Sequence, residues 1–177
     1  MTYNIIACGE TAKHWDGSGH SIGVNDSFKW GHHIEHLVVC NRPAMFSHDR
    51  AEIIKNSKPD HFYSHKADWE QWFPEWHKLD LIPWYGTYWK DRIYKSDTSP
   101  FIAICLAAKL GATEIVLYGV DFISHSKFKQ GEPGTKREVE TYLELFKELR
   151  TIDIEVQIGS KGTAFDEYWY LFGKIIK

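Results

Sequence analysis

The segment 97-DTSPFIAICLAAKLGATEIVLYGVDF-122 decides the fold of this chain. Ser99 is a good N-cap and Pro100 suits the first position of a helix, while Gly111 is placed to end it. The run FIAICLAAKL is apolar nearly all round, which predicts a helix buried against a sheet. The strand EIVLY follows after a short turn, and this order is half of a parallel crossover unit.

Other short apolar runs supply the remaining strands of the predicted sheet. Continuous β-branched runs suit strands that are buried on both faces of a parallel sheet. The sequence predicts such strands over Tyr3–Cys8, His20–Val24, His36–Cys40 and His61–Ser64, and an edge strand over Ile152–Ile158. We therefore expect an α/β chain, a Rossmann-like three-layer fold with a mostly parallel sheet.

Helical periodicity and turn residues mark the elements between these strands. A short helix is expected over Asp49–Asn56 and an amphipathic helix over Arg137–Arg150, after a polar surface loop at Ile123–Lys136. Thr163 with Asp166 resembles a capping box that opens a final helix through about Ile176.

The length of 177 residues fits one domain, 1–177, with a substantial core. The stretch from Ala67 to Lys95 holds Trp69, Trp72, Trp76, Trp84 and Trp89 among prolines and a glycine. We expect short helices and loops there, forming an aromatic-rich flap or lid around 67–95. The simpler alternative is that these aromatic rings fill the core and cover loops.

Composition excludes several classes of function and location. The formal net charge is −3, so there is no global basic field for bulk nucleic-acid binding. Cys8, Cys40 and Cys105 lie far apart in apolar stretches and are expected to be free thiols of a reducing compartment. No apolar run is long enough to span a bilayer and no signal peptide is evident, so we expect a cytoplasmic protein.

Ligands of open parallel sheets bind outside the carboxyl ends of the strands, and small or polar residues follow several predicted strands here. Gly9 would let the backbone approach a ligand, Thr11 would donate a hydroxyl, and Asn25 suits a base edge or a ribose. Two further positions favour an anion, namely Thr98–Ser99 at a helix N-terminus and the turn with Ser160 and Lys161. Ordinary turns and helix caps would explain each of these positions singly, whereas their coincidence favours a nucleotide-type site.

Two titratable residues follow the strand EIVLY. Asp121 would orient a hydroxyl or bind Mg²⁺, and His125 in the next loop would serve as general base. The alternatives are a turn cap for Asp121 and a non-catalytic loop residue for His125. No HExxH motif, matching Cys/His set or DxD motif is present, so no resident metal is expected.

The motifs NIIACGETA at 4–12, GVND at 23–26 and TSPFIAICLAAKLGATEIVLYGVDF at 98–122 resemble one superfamily. It comprises bacterial sialyltransferases of the type that decorate lipo-oligosaccharide, flagellin motility-factor transferases and archaeal 6-hydroxymethylpterin pyrophosphokinases. For the sialyltransferases, the resemblance implies a Rossmann-like fold, a CMP-sugar donor and metal-independent transfer by a histidine base. It also implies that Gly9, Asn25, Thr98, Ser99 and Asp121 lie on donor-site loops.

This chain departs from the family pattern at three places. The Gly-Asn-Gly-Pro-Ser loop of the family reads Cys-Gly-Glu-Thr-Ala at 8–12, and Phe122-Ile123 stand where the family has phosphate-binding tyrosines. The family histidine would fall near Gly134-Thr135, and His125 is the nearest histidine.

The sequence thus leads to a small sialyltransferase-like glycosyltransferase, with a nucleotide-sugar as donor, a glycan or other hydroxyl as acceptor and no tightly bound cofactor. In this scheme Asn25 would contact the nucleoside, Ser99 and its helix would hold phosphate, and the aromatic segment would close over the sugar. One alternative is a Mg²⁺-dependent, pyrophosphokinase-like phosphotransfer enzyme with the metal on Asp121. Another is a non-catalytic nucleotide- or sugar-binding module. Because chains of this class often complete their sites by association, a homo-oligomer is a further expectation.

Overall fold

A computed structural model describes residues 1–122, 132–166 and 168 of the chain. Its strands are β1 (Thr2–Ile6), β2 (His20–Val24), β3 (His36–Val38), β4 (His61–Ser64), β5 (His77–Lys78), β6 (Leu81–Pro83), β7 (Ile93–Lys95), β8 (Glu114–Tyr118) and β9 (Glu155–Ile158). Seven of them form one sheet in the order β5-β4-β3-β2-β1-β8-β9, and every pairing within it is parallel. The predicted α/β, Rossmann-like fold is confirmed.

Helices cover both faces of this sheet. The α-helices of the described residues are α1 (His48–Lys55), α2 (Ser99–Lys109) and α3 (Pro133–Arg150), and 3₁₀ turns occupy Glu10–His14, Ser27–Trp30, Pro43–Met45 and Ala67–Trp69. On one face, Ile5, Ile22 and Leu117 share a core with α2 and α3. The other face packs against α1 and the 3₁₀ turns. Because successive strand side chains point to opposite faces, the continuous apolar runs supply both cores.

Helix α2 is the most buried helix, as its composition predicts. Every residue from Phe101 to Ala108 is buried. Thr98, with extended backbone angles, is the N-cap, so Ser99 and Pro100 occupy the first two helical positions instead of the cap and first position. This shift by one residue lies within the usual uncertainty of helix ends. At the other end Gly111 has a φ of +94°, the left-handed conformation expected of a glycine that terminates a helix.

The aromatic-rich stretch contains strands as well as short turns. Strands β6 and β7 pair in a separate two-stranded parallel sheet, and β7 packs against α2. Trp69 is fully buried beside Phe62 in the core on the α1 side, whereas Tyr85 and Trp89 are exposed. The expectation of helices and loops alone was wrong here, because strands of two or three residues have no periodicity of their own and depend on tertiary pairing. The lid function stays a prediction.

Helix α3 begins four residues before the predicted Arg137, within the segment expected to be a loop. Pro133 and Gly134 had indicated a loop, but proline is well tolerated at the first position of a helix because its missing N–H needs no partner there. The predicted final helix lies largely outside the described residues. Thr163 and Asp166 make half of the predicted capping box, because Thr163 N–H donates to Asp166 Oδ1 at 3.2 Å, whereas the Thr163 hydroxyl oxygen accepts from Phe165 N–H at 3.2 Å.

The three cysteines are free, with Cys40 and Cys105 buried. Burial raises the pKa of the Cys105 thiol to about 12. Among the described residues, no helix has the length and apolar character needed to cross a bilayer.

Candidate functional site

The chain changes direction in the sheet between β1 and β8, so the loops after these two strands meet at the carboxyl edge. Ala7 N–H donates to Tyr118 O at 2.8 Å, and Gly9 N–H donates to Gly119 O at 2.9 Å. This topological switch point is where open α/β sheets usually bind ligands. The two loops are joined here by their own backbone hydrogen bonds.

Asp121 and Thr11 extend this contact between the loops. Thr11 N–H donates to Asp121 Oδ2 at 3.0 Å, and the Thr11 hydroxyl donates to Asp121 Oδ1. The same hydroxyl accepts from Gly119 N–H at 3.0 Å. We call this set the Thr11–Asp121 contact. Burial raises the pKa of Asp121, although the two Thr11 donors oppose the rise. The Thr11 hydroxyl and both Asp121 oxygens are therefore engaged within the protein.

Gly9 lies in close contact with other protein atoms, and these leave no room for a side chain. A Cβ at this position would lie 2.5 Å from both Asp121 Oδ2 and Gly119 O. The backbone φ of Gly9 is −72°, an angle that any residue adopts. The glycine is therefore required by space beside Asp121, while its predicted contact with a ligand stays a prediction.

Of the two anion-binding candidates in the last turn, one joins this group. Ser160 is buried, and its hydroxyl donates to Thr11 O at 3.3 Å. Lys161 is exposed. The structure thus brings Gly9, Thr11, Asp121 and Ser160 together at the β1–β8 edge.

Asn25 belongs to a second group, at the N-terminus of α2. Asn25 has a φ of +52°, a left-handed conformation that asparagine tolerates better than most residues. Its Oδ1 accepts from the Ser99 hydroxyl at 3.4 Å. The Asn25 amide nitrogen makes no hydrogen bond with any described residue, so two donors remain for a ligand.

Thr98 connects α2 to α3 through a chain of polar side chains. Its hydroxyl donates to Glu138 Oε1 at 3.0 Å and lies 2.7 Å from the Tyr142 hydroxyl. The Ser96 hydroxyl lies 3.5 Å from the same Glu138 oxygen. Burial raises the pKa of Glu138, and the hydrogen bond from Thr98 opposes the rise. The Thr98 side chain is therefore directed at α3 and makes no capping hydrogen bond to its own helix.

A cleft of about 530 Å³ lies beside this chain of hydroxyls, between the start of α2 and the start of α3. Trp84 forms an apolar wall of the cleft and packs against the fully buried Phe101, with ring centroids 5.7 Å apart. Lys95, Arg137 and Glu138 supply charged groups around it. Ligand clefts commonly have volumes of roughly 300–1,000 Å³ and combine apolar walls with a few polar groups.

Sequence reasoning missed Glu138 because nothing in its helical pattern distinguishes it from the other acidic residues of α3. It also missed an ionic group at the carboxyl end of β2. There, the buried Asp26 accepts from Arg50 Nε at 2.9 Å and from Cys8 Sγ at 3.2 Å. Burial alone would raise the pKa of Asp26, but the Arg50 hydrogen bonds and charge lower it overall. The position of Asp26 after a strand was a signal, whereas Arg50 on α1 gave none.

His125, the predicted base, lies outside the described residues. Within the described ranges 1–122, 132–166 and 168, no group of three or more histidine, cysteine or acidic side chains is placed to hold a metal ion. Asp121 faces the donors of Thr11, and the described residues do not assemble the oxygen cage that Mg²⁺ prefers.

No protein-family model and no curated protein matches the chain. Among solved structures, it is similar to the sialyltransferase CstII from Campylobacter jejuni in complex with CMP-3FNeuAc, with a TM-score of 0.54 and 13% identity over 100% of this chain and 86% of that one. A CST-II structure with trisaccharide acceptor and CMP gives a TM-score of 0.57 and 16% identity over 95% and 84% of the two chains. The monofunctional α-2,3-sialyltransferase Cst-I from Campylobacter jejuni gives a TM-score of 0.56 and 16% identity over 96% of this chain and 80% of that one. The fold of this chain therefore resembles that of bacterial sialyltransferases.

Proposed function

We propose that this chain is a small glycosyltransferase that takes a sugar from a nucleotide-activated donor and transfers it to a hydroxyl of a glycan or similar acceptor. The observation that carries the proposal is the aromatic-walled cleft at the α2 N-terminus of a sialyltransferase-like fold. The similar structures were determined with CMP, with a CMP-sugar analogue and with a trisaccharide acceptor. A CMP-sugar is accordingly the first donor to test.

The polar groups around α2 suit the donor. The unpartnered amide nitrogen of Asn25 can donate to a nucleoside, and the positive end of the α2 dipole favours the phosphate. The indole of Trp84 offers the apolar surface on which a sugar ring packs, next to the charged groups of the cleft. A cytoplasmic location is part of the proposal because all three cysteines are free.

A thermal-shift screen with CMP, UDP, GDP, ATP and activated sugars, each with and without Mg²⁺, tests the donor class. A ligand that binds only the native state raises the melting temperature by mass action. We expect a CMP-sugar to give a shift that does not depend on Mg²⁺, and turnover when an acceptor glycan is added. A strict requirement for ATP with Mg²⁺ would replace the proposal by phosphotransfer, and saturable binding without turnover would reduce it to a binding module.

A matched pair of variants locates the nucleoside contact. Asn25→Asp keeps the size and the tolerance for the left-handed backbone but removes the amide donors. We expect it to weaken the CMP-induced shift. Asn56→Asp, at the exposed end of α1, is the control and should leave the shift unchanged. Equal CMP affinity in wild type and Asn25→Asp would refute the nucleoside contact.

A further inference from the structure

The cleft beside α2 contains a half-buried carboxylate that nothing in the donor scheme uses. Glu138 lies in the second turn of α3 and lines the cleft. Its Oε1 accepts from Thr98, whereas Oε2 has no hydrogen bond to any described residue. One oxygen is thus fixed in place by protein donors, and the other remains available to accept a proton.

We propose that Glu138 is the general base of the transfer reaction, which rests on the glycosyltransferase function proposed above. The acceptor hydroxyl would give its proton to Glu138 Oε2 while its oxygen forms a bond to the anomeric carbon of the sugar. The bond from that carbon to the donor phosphate breaks, and the nucleotide leaves with the electron pair. The proton on Glu138 then passes to water. This transfer involves no change of oxidation state, so it requires no oxidant or reductant, and no metal takes part in the step as written.

The surroundings of Glu138 suit this role. A base works best when its pKa approaches the operating pH, and burial shifts this carboxyl upward from its ordinary value. Asp97, from the segment before α2, raises the pKa further, while Arg137 on α3 and the hydroxyls of Thr98 and Ser96 lower it. Lys95 also faces the cleft. The carboxylate is therefore held beside the cleft by hydroxyl groups, and no described residue forms a direct ion pair with it.

Asp121 does not offer the same chemistry among the described residues. Both of its oxygens accept from Thr11, and Gly9 packs directly against its carboxyl group. Proton acceptance by Asp121 would weaken hydrogen bonds on both of its oxygens, because these bonds favour the ionised carboxylate. Protonation of Glu138 on Oε2 leaves the hydrogen bond from Thr98 to Oε1 in place.

The test measures transfer from the CMP-sugar to an acceptor glycan by wild type, Glu138→Gln, His125→Ala and the control Glu140→Gln. Glutamine keeps the oxygen that accepts from Thr98 but cannot take a proton, so we expect Glu138→Gln to lower kcat about 10²- to 10⁴-fold. The donor-induced thermal shift should persist in this variant. Glu140 is exposed two residues further along α3, and its substitution should leave kcat unchanged.

The pH profile separates a base from a structural residue. In wild type, kcat/KM should rise with pH through the pKa of Glu138 and then level off, and this limb should disappear in Glu138→Gln. Thr98→Val removes a hydrogen bond to the ionised carboxylate, so it should move the limb to higher pH. Wild-type kcat in Glu138→Gln, or loss of activity in His125→Ala with Glu138→Gln active, would overturn the inference while leaving the transferase function standing. Absence of donor binding and transfer in wild type would overturn both.

Discussion

The Thr11–Asp121 contact makes a quantitative prediction about stability. Asp121→Ala removes a carboxylate that accepts two hydrogen bonds from Thr11. The two residues lie 110 positions apart in sequence. Hydrogen bonds to charged groups contribute about 1.5–3 kcal/mol each, but burial of the carboxylate offsets part of that gain. We expect Asp121→Ala to lower the free energy of unfolding by about 2–4 kcal/mol. Asp121→Asn keeps one acceptor oxygen and avoids the buried charge, so we expect it to lower the free energy of unfolding by only about 1–2 kcal/mol.

The partner residue supplies an independent arm of the same experiment. Thr11→Val preserves the side-chain shape but leaves the buried Gly119 N–H without its acceptor, which should cost about 1–3 kcal/mol. Thr11→Ser retains the hydroxyl and should lie much closer to wild type. In a double-mutant cycle, Thr11→Val with Asp121→Asn should show a coupling of about 0.5–3 kcal/mol, because the two side chains are in direct contact.

Urea denaturation followed by circular dichroism gives these free energies, and calorimetry checks them. A change of 1 kcal/mol corresponds to about 2–4 °C in Tm for a chain of this length. Asp80→Asn, at an exposed position, controls for loss of a negative charge. A stabilising role for Asp121 is refuted if Asp121→Ala unfolds at the wild-type urea concentration yet no longer binds the nucleotide-sugar. That pattern would make Asp121 a ligand-binding group and not an internal contact.

Two further predictions concern the surroundings of the site, and a third concerns His36 at the amino edge of the sheet. Gly9→Ala should destabilise the chain by about 1–3 kcal/mol by overpacking against Asp121, and a Tm equal to that of wild type would contradict the 2.5 Å approach. Arg50→Met leaves the buried Asp26 without its main cation. We expect the free energy of unfolding to fall by about 1–3 kcal/mol, a figure kept low because Arg50 is partly exposed. A urea midpoint within error of wild type would count against this prediction. Burial lowers the pKa of His36 below 6.5 in the fold, so the unfolded chain binds more protons and stability should fall as pH drops below about 6.5. His36→Phe should reduce this dependence when urea midpoints at pH 7.5 and 5.5 are compared, and an unchanged dependence would exclude His36 as its source.

The sequence predicts the central elements of the fold well where a local signal is strong. Helix α2 carries a cap, a proline in its first turn, an apolar surface and a terminating glycine, and its observed start differs by one residue from the predicted one. Strands β2, β4 and β8 have the predicted bounds because each is a short apolar run bordered by turn residues. Strands β5–β7 were missed because their few residues become strands only through pairing with a neighbour.

The candidate site is less accessible to sequence reasoning. The sequence identifies loops at the carboxyl edge but does not show which of them touch. The pairing of Thr11 with Asp121, and of Thr98 with Glu138 40 positions away, depends on packing of the whole sheet. Likewise, the need for Gly9 arises from Asp121 approaching it in space. Polar and titratable residues suited to a site can therefore be recognised from sequence. Their hydrogen-bond partners in the fold decide whether their polar atoms remain available to a ligand.

That availability divides the predicted site residues into two groups with different consequences. At the β1–β8 edge, Thr11, Asp121 and Ser160 direct their polar atoms at one another and at backbone, so changes there should first alter stability. At the α2 edge, Asn25 keeps amide donors and Glu138 keeps an oxygen without a hydrogen bond among the described residues. Changes at these two positions should alter binding or turnover at nearly constant Tm.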